Sequence, residues 1–147
     1  MYKLGIEENK TYKEMKIPKQ IPKSLIRHFI RGYFDGDGCI TYSIRKPNPK
    51  NREINYRVSC RFEICSKLSN ILIDFQKYFG ELNIKTNIQY LKRNDMYNIN
   101  TCSRNNIIKI YEILYHDSNF YLNRKFNKFD YYVNTEVTQI ISEYRNA

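Results

Sequence analysis

A chain of 147 residues, 41% of them hydrophobic, carries enough apolar material for one core that buries about two thirds of the unfolded surface. It contains no secretory leader and no run of 18 apolar residues, so a membrane span is excluded and a soluble, intracellular protein is expected, in the cytoplasm or in an organelle matrix if organelle-encoded. A net charge of +10 with 14 tyrosines predicts a polyanionic partner, nucleic acid being the commonest.

In chain order, residues 1–22 are polar, with Pro18 and Pro22 bracketing an extended arm. Ser24 suits the N-cap of a first helix reaching about residue 36. From Cys39 the period changes to two, with Ile40, Tyr42 and Ile44 alternating against Thr41, Ser43 and Arg45. A basic loop over Lys46 to Asn55 leads to a second strand, Tyr56 to Ser66. Ser69 suits the cap of a second helix through Phe79, carrying Ile71, Leu72, Phe75, Tyr78 and Phe79 on one face. A second hairpin follows, Lys85 to Lys92 and Met96 to Cys102, turning at Arg93-Asn94-Asp95. A third helix over about Asn105 to Tyr115 buries Ile107, Ile108, Tyr111 and Leu114, and the remainder is helical in pieces. The order is αββαββα, an α+β fold with helices on one face of a four-stranded antiparallel sheet. An arm over 1–22, a domain over 23–130 and a helical tail over 131–147 are the expected divisions.

Chemistry concentrates at the end of the first helix. Leu25, Phe29, Gly32 and Gly36 share one helical stripe, and Ile26, Ile30 and Tyr33 form the adjacent one. Two stripes require two packing partners, and glycines four apart allow a second helix backbone to approach. Gly36 and Gly38 suit a helix end with unusual dihedrals, which puts Asp35 and Asp37 at the foot of a helix pair. A carboxylate there suits a hard divalent cation. An EF-hand fits poorly, because Lys46 stands where the closing Glu would be. Cysteines 39, 60, 65 and 102 form no CxxC pair and, with only His28 and His116, no zinc ligand set.

The sheet face left uncovered carries Ser43, Arg45, Arg57, Ser59, Arg61, Glu63, Lys85, Asn87, Gln89, Asn98 and Asn100. Simple phosphate binding needs mainly positive charge; this mixture suits the reading of base edges in DNA.

The stretch Ile30-Arg31-Gly32-Tyr33-Phe34-Asp35-Gly36-Asp37-Gly38 resembles the motif of the LAGLIDADG homing endonucleases, and the element order resembles that family from about residue 20 to residue 130. The match departs at Arg31, where a small residue is common; Arg31 then points away from the helix interface. The resemblance implies paired motif helices beneath a saddle of two sheets over the DNA major groove. It implies that Asp37, with Gly36 beside it, holds catalytic Mg²⁺ or Mn²⁺, and that Asp35 stabilises the helix end or the neighbouring subunit. Lys125, and second to it Arg124, match the basic residue that reaches the site, with phosphate contact as the alternative role. Ser66 matches polar residues that organise water, and Lys67 lies beside it among the DNA contacts. One motif per chain implies a homodimer on a long, near-palindromic double-stranded target, joined through Leu25, Phe29, Gly32, Asp35 and Gly36. The alternatives are a detached second half of a two-motif member, a DNA-binding regulator that does not cut, and an RNA maturase.

Overall fold

The computed structural model describes residues 15–147, so most of the expected N-terminal arm lies outside the described residues. Its elements are α1 (Ile26–Asp37), β1 (Gly38–Arg45), β2 (Arg57–Ser66), α2 (Ser69–Glu81), β3 (Asn87–Leu91), β4 (Met96–Thr101), α3 (Arg104–Tyr115), α4 (Asn123–Asn134) and α5 (Val137–Asn146). The α+β order read from periodicity is the order found. The strands form one antiparallel sheet ordered β1-β2-β4-β3, so the two hairpins meet through β2 and β4.

Helix starts differ from the capping reading. A 3₁₀ turn, Lys23–Leu25, precedes α1, with the Leu25 N–H donating to Pro22 O at 2.9 Å, and Ser24 makes no side-chain cap. Ser69 does not cap α2 either; Ser66 Oγ accepts the Leu68 N–H at 3.2 Å from two residues upstream. In both places the bond satisfies the N–H of the residue that opens the helix, and no side chain caps the first turn. Ser103 caps α3 by accepting from the Asn106 N–H.

One side of the sheet is buried. Phe34 of α1 stacks on Phe62 of β2 at 5.2 Å and tilts against Phe129 of α4 at 5.9 Å, while Phe62 meets Phe79 of α2 edge-on at 6.4 Å. Ile107, Ile110 and Leu114 line the inner face of α3, so Ile110 takes the place expected of Ile108. Ile140 of α5 is buried in the same core. Residue 130, where the domain was expected to end, falls inside α4.

Gly38 joins α1 directly to β1, and its dihedrals, φ −92° and ψ 162°, are ordinary extended backbone rather than the unusual ones expected. Space selects glycine here: a Cβ would lie 2.1 Å from Phe34 Cδ2 and 2.6 Å from the Phe34 carbonyl. Among the described residues, no helix is long and apolar enough to cross a membrane.

Candidate functional site

Helix α1 turns Ile30, Arg31 and Phe34 inward and leaves Leu25, Gly32 and Gly36 exposed. Phe29 departs from the expected interface stripe. It packs edge-on to Phe75 of α2 at 6.2 Å and lies 6.5 Å from Tyr33, so much of its ring serves the chain's own core. Among the described residues, an added Cβ at Gly32 or Gly36 would meet nothing within 4 Å, so these leave that side of the helix as bare backbone.

Arg31 points away from this open stripe. Only 7% exposed, it donates to Phe120 O and Leu114 O, each at 2.8 Å, and to His28 Nδ1 at 2.7 Å. Guanidinium has donors only, so His28 must offer an unprotonated Nδ1. The long side chain thus ties α1 to the C-terminal end of α3, whose last carbonyls have no partner within their own helix.

The foot of α1 carries the acids. Asp35 Oδ2 accepts the Leu122 N–H at 3.0 Å, which holds the start of α4, and Asp35 Oδ1 is buried without a partner among the described residues. Asp35 therefore serves a junction within the chain, between the end of α1 and the start of α4. Lys125, three residues into α4, donates to Phe34 O and Asp35 O at 2.8 Å each and reaches Gly36 O at 3.5 Å. A cation on these carbonyls neutralises the negative end of the helix dipole. Burial lowers the Lys125 pKa, Asp35 opposes that shift, and Arg124 adds to it. Arg124 itself is exposed.

Asp37 is exposed and lines a shallow pocket with Tyr33, Cys65, Ser66, Lys67 and Met96. The Tyr33 hydroxyl donates to Ser66 Oγ at 3.2 Å, and that oxygen also takes the Leu68 N–H, leaving the serine proton to be donated. Lys67 Nζ donates to Asn94 O at 3.2 Å and Asp95 O at 3.0 Å, tying down the β3–β4 turn. Sequence reasoning missed Tyr33, Cys65 and Met96 at this pocket. The alternation of β2 signals Cys65, two residues from Glu63, whereas Met96 arrives only through the β3–β4 register, opposite Leu91.

The pocket opens beside the polar sheet face. Register places Arg45 opposite Arg57, Ser43 opposite Ser59, Cys39 opposite Glu63, Glu63 opposite Asn100 and Gln89 opposite Asn98, so the expected face is one continuous surface. Like charges directly opposite, as at Arg45 and Arg57, weaken a ladder and favour a bound polyanion. Ser43 and Ser59 hydroxyls lie 3.0 Å apart. Asn87 is exposed, and Lys85 precedes β3, where its carbonyl accepts from Asn106 Nδ2 at 3.0 Å. Asn98 and Asn100 lie on this face yet are only 1% and 4% exposed, too deep for the direct base contact expected of them.

One chain supplies Asp37 Oδ atoms and the Gly36 carbonyl, hard oxygen donors that suit Mg²⁺ or Mn²⁺. Among the described residues no three Asp, Glu, His or Cys side chains converge to hold a metal. By donor type, Asp37 and the Gly36 carbonyl fit such a cation.

The family model for the LAGLIDADG endonuclease matches residues 30–135. No curated protein matches the chain. Among solved structures, the homing endonuclease I-CvuI in complex with its target in the presence of calcium is 20% identical with a TM-score of 0.60, covering 76% of this chain and 66% of that one. The archaeal intron-encoded homing endonuclease I-Vdi141I, complexed with DNA, is 19% identical with a TM-score of 0.62, covering 77% and 69%. The homing endonuclease I-TnaI is 20% identical with a TM-score of 0.57, covering 82% and 74%. At these identities the likeness is one of fold, and the chain spans 66% of the length of the I-CvuI structures.

Proposed function

Because the chain belongs to the LAGLIDADG endonuclease family, we propose that it is a site-specific, divalent-metal-dependent endonuclease of double-stranded DNA that works as a homodimer on a long, near-palindromic target. The observation that carries this reading is the exposed Asp37 carboxylate at the foot of a helix whose Gly32 and Gly36 face is bare. A second copy laid on that face would bring two such carboxylates together, and isologous pairing reads the same half-site twice.

In each copy Asp37 and the Gly36 carbonyl would hold the metal, Gly36 O being the carbonyl that Lys125 engages least. When bound, Mg²⁺ polarises the phosphoryl group and stabilises charge on the leaving 3′ oxygen. The chain's own groups do the rest. Lys125 sets positive charge beside the scissile phosphate, and Arg124 contacts the backbone. Ser66, oriented by Tyr33 and Leu68, offers its proton to water near Asp37. Arg45, Arg57, Arg61, Glu63, Gln89 and Asn87 face the major groove, and Lys67 fixes the turn that borders it. Leu25, at the start of the helix, is exposed and extends the face available to the second copy.

The test is Mg²⁺-dependent cleavage of source-genome DNA and of a randomised duplex library, with cut ends sequenced and solution mass measured. Paired, staggered cuts at a long near-palindrome by a species of twice the chain mass support the reading. Specific retention of duplexes without cutting points to a DNA-binding regulator, and a monomer that neither pairs nor cuts points to a half that needs a different partner. Preference for structured RNA over duplex DNA points to a maturase.

A further inference from the structure

Five side chains on the polar sheet face close a ring of hydrogen bonds. Arg61 Nε donates to Glu63 Oε2 at 3.1 Å, and Asn98 Nδ2 donates to the same oxygen at 2.9 Å. Asn100 Nδ2 donates to Asn98 Oδ1 at 3.0 Å and to Gln89 Oε1 at 3.4 Å. Arg61 Nη2 donates to Gln89 Oε1 at 3.2 Å and completes the circuit. We propose that Asn98 and Asn100 are positioning residues for base recognition, which hold Gln89, Glu63 and Arg61 in a fixed donor and acceptor pattern facing the major groove. This rests on the reading of the protein as a duplex-DNA binder.

The direction of every bond in the ring follows from its two charged members. Glutamate is acceptor-only, so Asn98 must turn its Nδ2 toward Glu63 and its Oδ1 toward Asn100. Arginine is donor-only, so Gln89 must turn its Oε1 toward Arg61. Asn100 lies between Asn98 Oδ1 and Gln89 Oε1 and spends both Nδ2 protons on them. Each amide thus has one orientation, although an isolated amide could present either end.

What remains for a ligand is therefore specified. Gln89 Oε1 has both lone pairs occupied, and Gln89, being exposed, turns two Nε2 donors outward. Glu63 keeps Oε1 as an acceptor, and Arg61 keeps Nη1 as a donor; among the described residues neither atom has a hydrogen bond within the chain. In the major groove, donors at Gln89 match purine N7, guanine O6 or thymine O4, while the Glu63 acceptor matches the exocyclic amine of cytosine or adenine. A glutamine free to rotate its amide would accept either class. Burial of Asn98 and Asn100 under the face makes the arrangement exist before DNA arrives, so no ordering cost falls on binding.

The test selects duplexes from a randomised library by binding in Ca²⁺, using the wild-type chain, Asn100→Ala and Gln89→Glu. Removing Asn100 takes from Gln89 Oε1 one of its two donors, leaving Arg61 alone to hold the amide, so preference at one base pair of each half-site should fall several-fold, with other positions and the salt dependence unchanged. Gln89→Glu lies on the surface and can still accept from Asn100 and Arg61, but its second oxygen faces outward as an acceptor. Its preference at that pair should invert toward a base presenting an amine. Should Asn100→Ala fail to give a cooperative melt, the Gln89→Glu arm decides alone. Wild-type preference retained by a folded Asn100→Ala, or no inversion in Gln89→Glu, overturns the role of the ring and leaves the DNA-binding reading standing. A wild-type chain that selects no duplex overturns that reading and the ring proposal together.

Discussion

The polar sheet face satisfies its own side chains within a single chain, whereas the foot of α1 is, on the proposed reading, half of a site. On the sheet, Arg61, Glu63, Gln89, Asn98 and Asn100 satisfy one another. At the helix foot, Asp37 stands exposed with no set of three metal-holding side chains around it among the described residues, which also leave the Cβ positions of Gly32 and Gly36 uncontacted. A surface that recognises DNA can be assembled by one copy, because each half-site needs only one reader. On the proposed reading, a metal site between two strands takes carboxylates from both copies. Separate perturbation of the two regions should therefore separate binding from cutting.

The largest separation is expected from Asp37→Asn. Loss of a metal-holding carboxylate removes several kcal/mol of transition-state stabilisation, so cleavage should fall by about three orders of magnitude or more. Affinity for the target and the base preference set by the sheet should stay close to wild type. Cleavage rates and gel retention on one preparation check both halves, and substantial residual cutting would remove Asp37 from its assigned role.

Arg31→Ala should act on scaffold rather than on either surface. It removes charge-assisted bonds to two carbonyls and to His28 and leaves those acceptors buried, a loss of about 3 kcal/mol. A lowered urea midpoint with unchanged base preference in the folded fraction is the expected result. An unchanged midpoint would show that α1 does not depend on this anchor.

Much of this division was legible in the chain. The period of two in β1 and β2 placed Ser43, Arg45, Arg57, Ser59, Arg61 and Glu63 on one face correctly, because strand alternation is a local property. The depth of Asn98 and Asn100 was not legible. It follows from β4 lying between β2 and β3, where longer neighbours cover short amides, and strand order is a nonlocal outcome. Phe29 was assigned to the interface by helical spacing, but spacing cannot tell which partner an individual side chain meets, and Phe75 meets this one. Lys125 was reached through the family resemblance, while its seat on the α1 carbonyls depends on the packing of α4.

The glycines of α1 sharpen the comparison further, since two of them should matter only to the pair and one only to the chain. A Cβ at Gly32 meets nothing within 4 Å among the described residues, so Gly32→Leu should even stabilise the helix by up to about 1 kcal/mol. In the dimer the side chain would force the backbones apart, at about 2 kcal/mol or more. Sedimentation should show a well-folded monomer, and an undiminished dimer would refute this interface. Gly38→Ala should do the reverse. Its Cβ would collide with Phe34, lowering stability by about 2 kcal/mol in monomer and dimer alike; a wild-type urea midpoint would show that Phe34 yields without cost.

The smallest expected effect is a pH dependence on the closed side of α1. His28 accepts from Arg31 and is held below the ordinary histidine pKa, chiefly by burial and then by Arg31 and Arg27. Protonation would turn its Nδ1 from acceptor to donor against a guanidinium that also only donates. Because the folded state binds this proton less readily than the unfolded state, the contribution is fully present above the unfolded pKa of about 6.5 and is lost as pH falls through the lowered folded value. Urea midpoints measured from about pH 7.5 to about pH 5 should decline more steeply in the wild-type chain than in His28→Gln, whose side-chain oxygen can accept from Arg31 at every pH. Parallel declines would mean that acid acts elsewhere, on carboxylates common to both proteins. Base preference should not follow this titration, since His28 contacts α3 through Arg31 and has no bond to the sheet face.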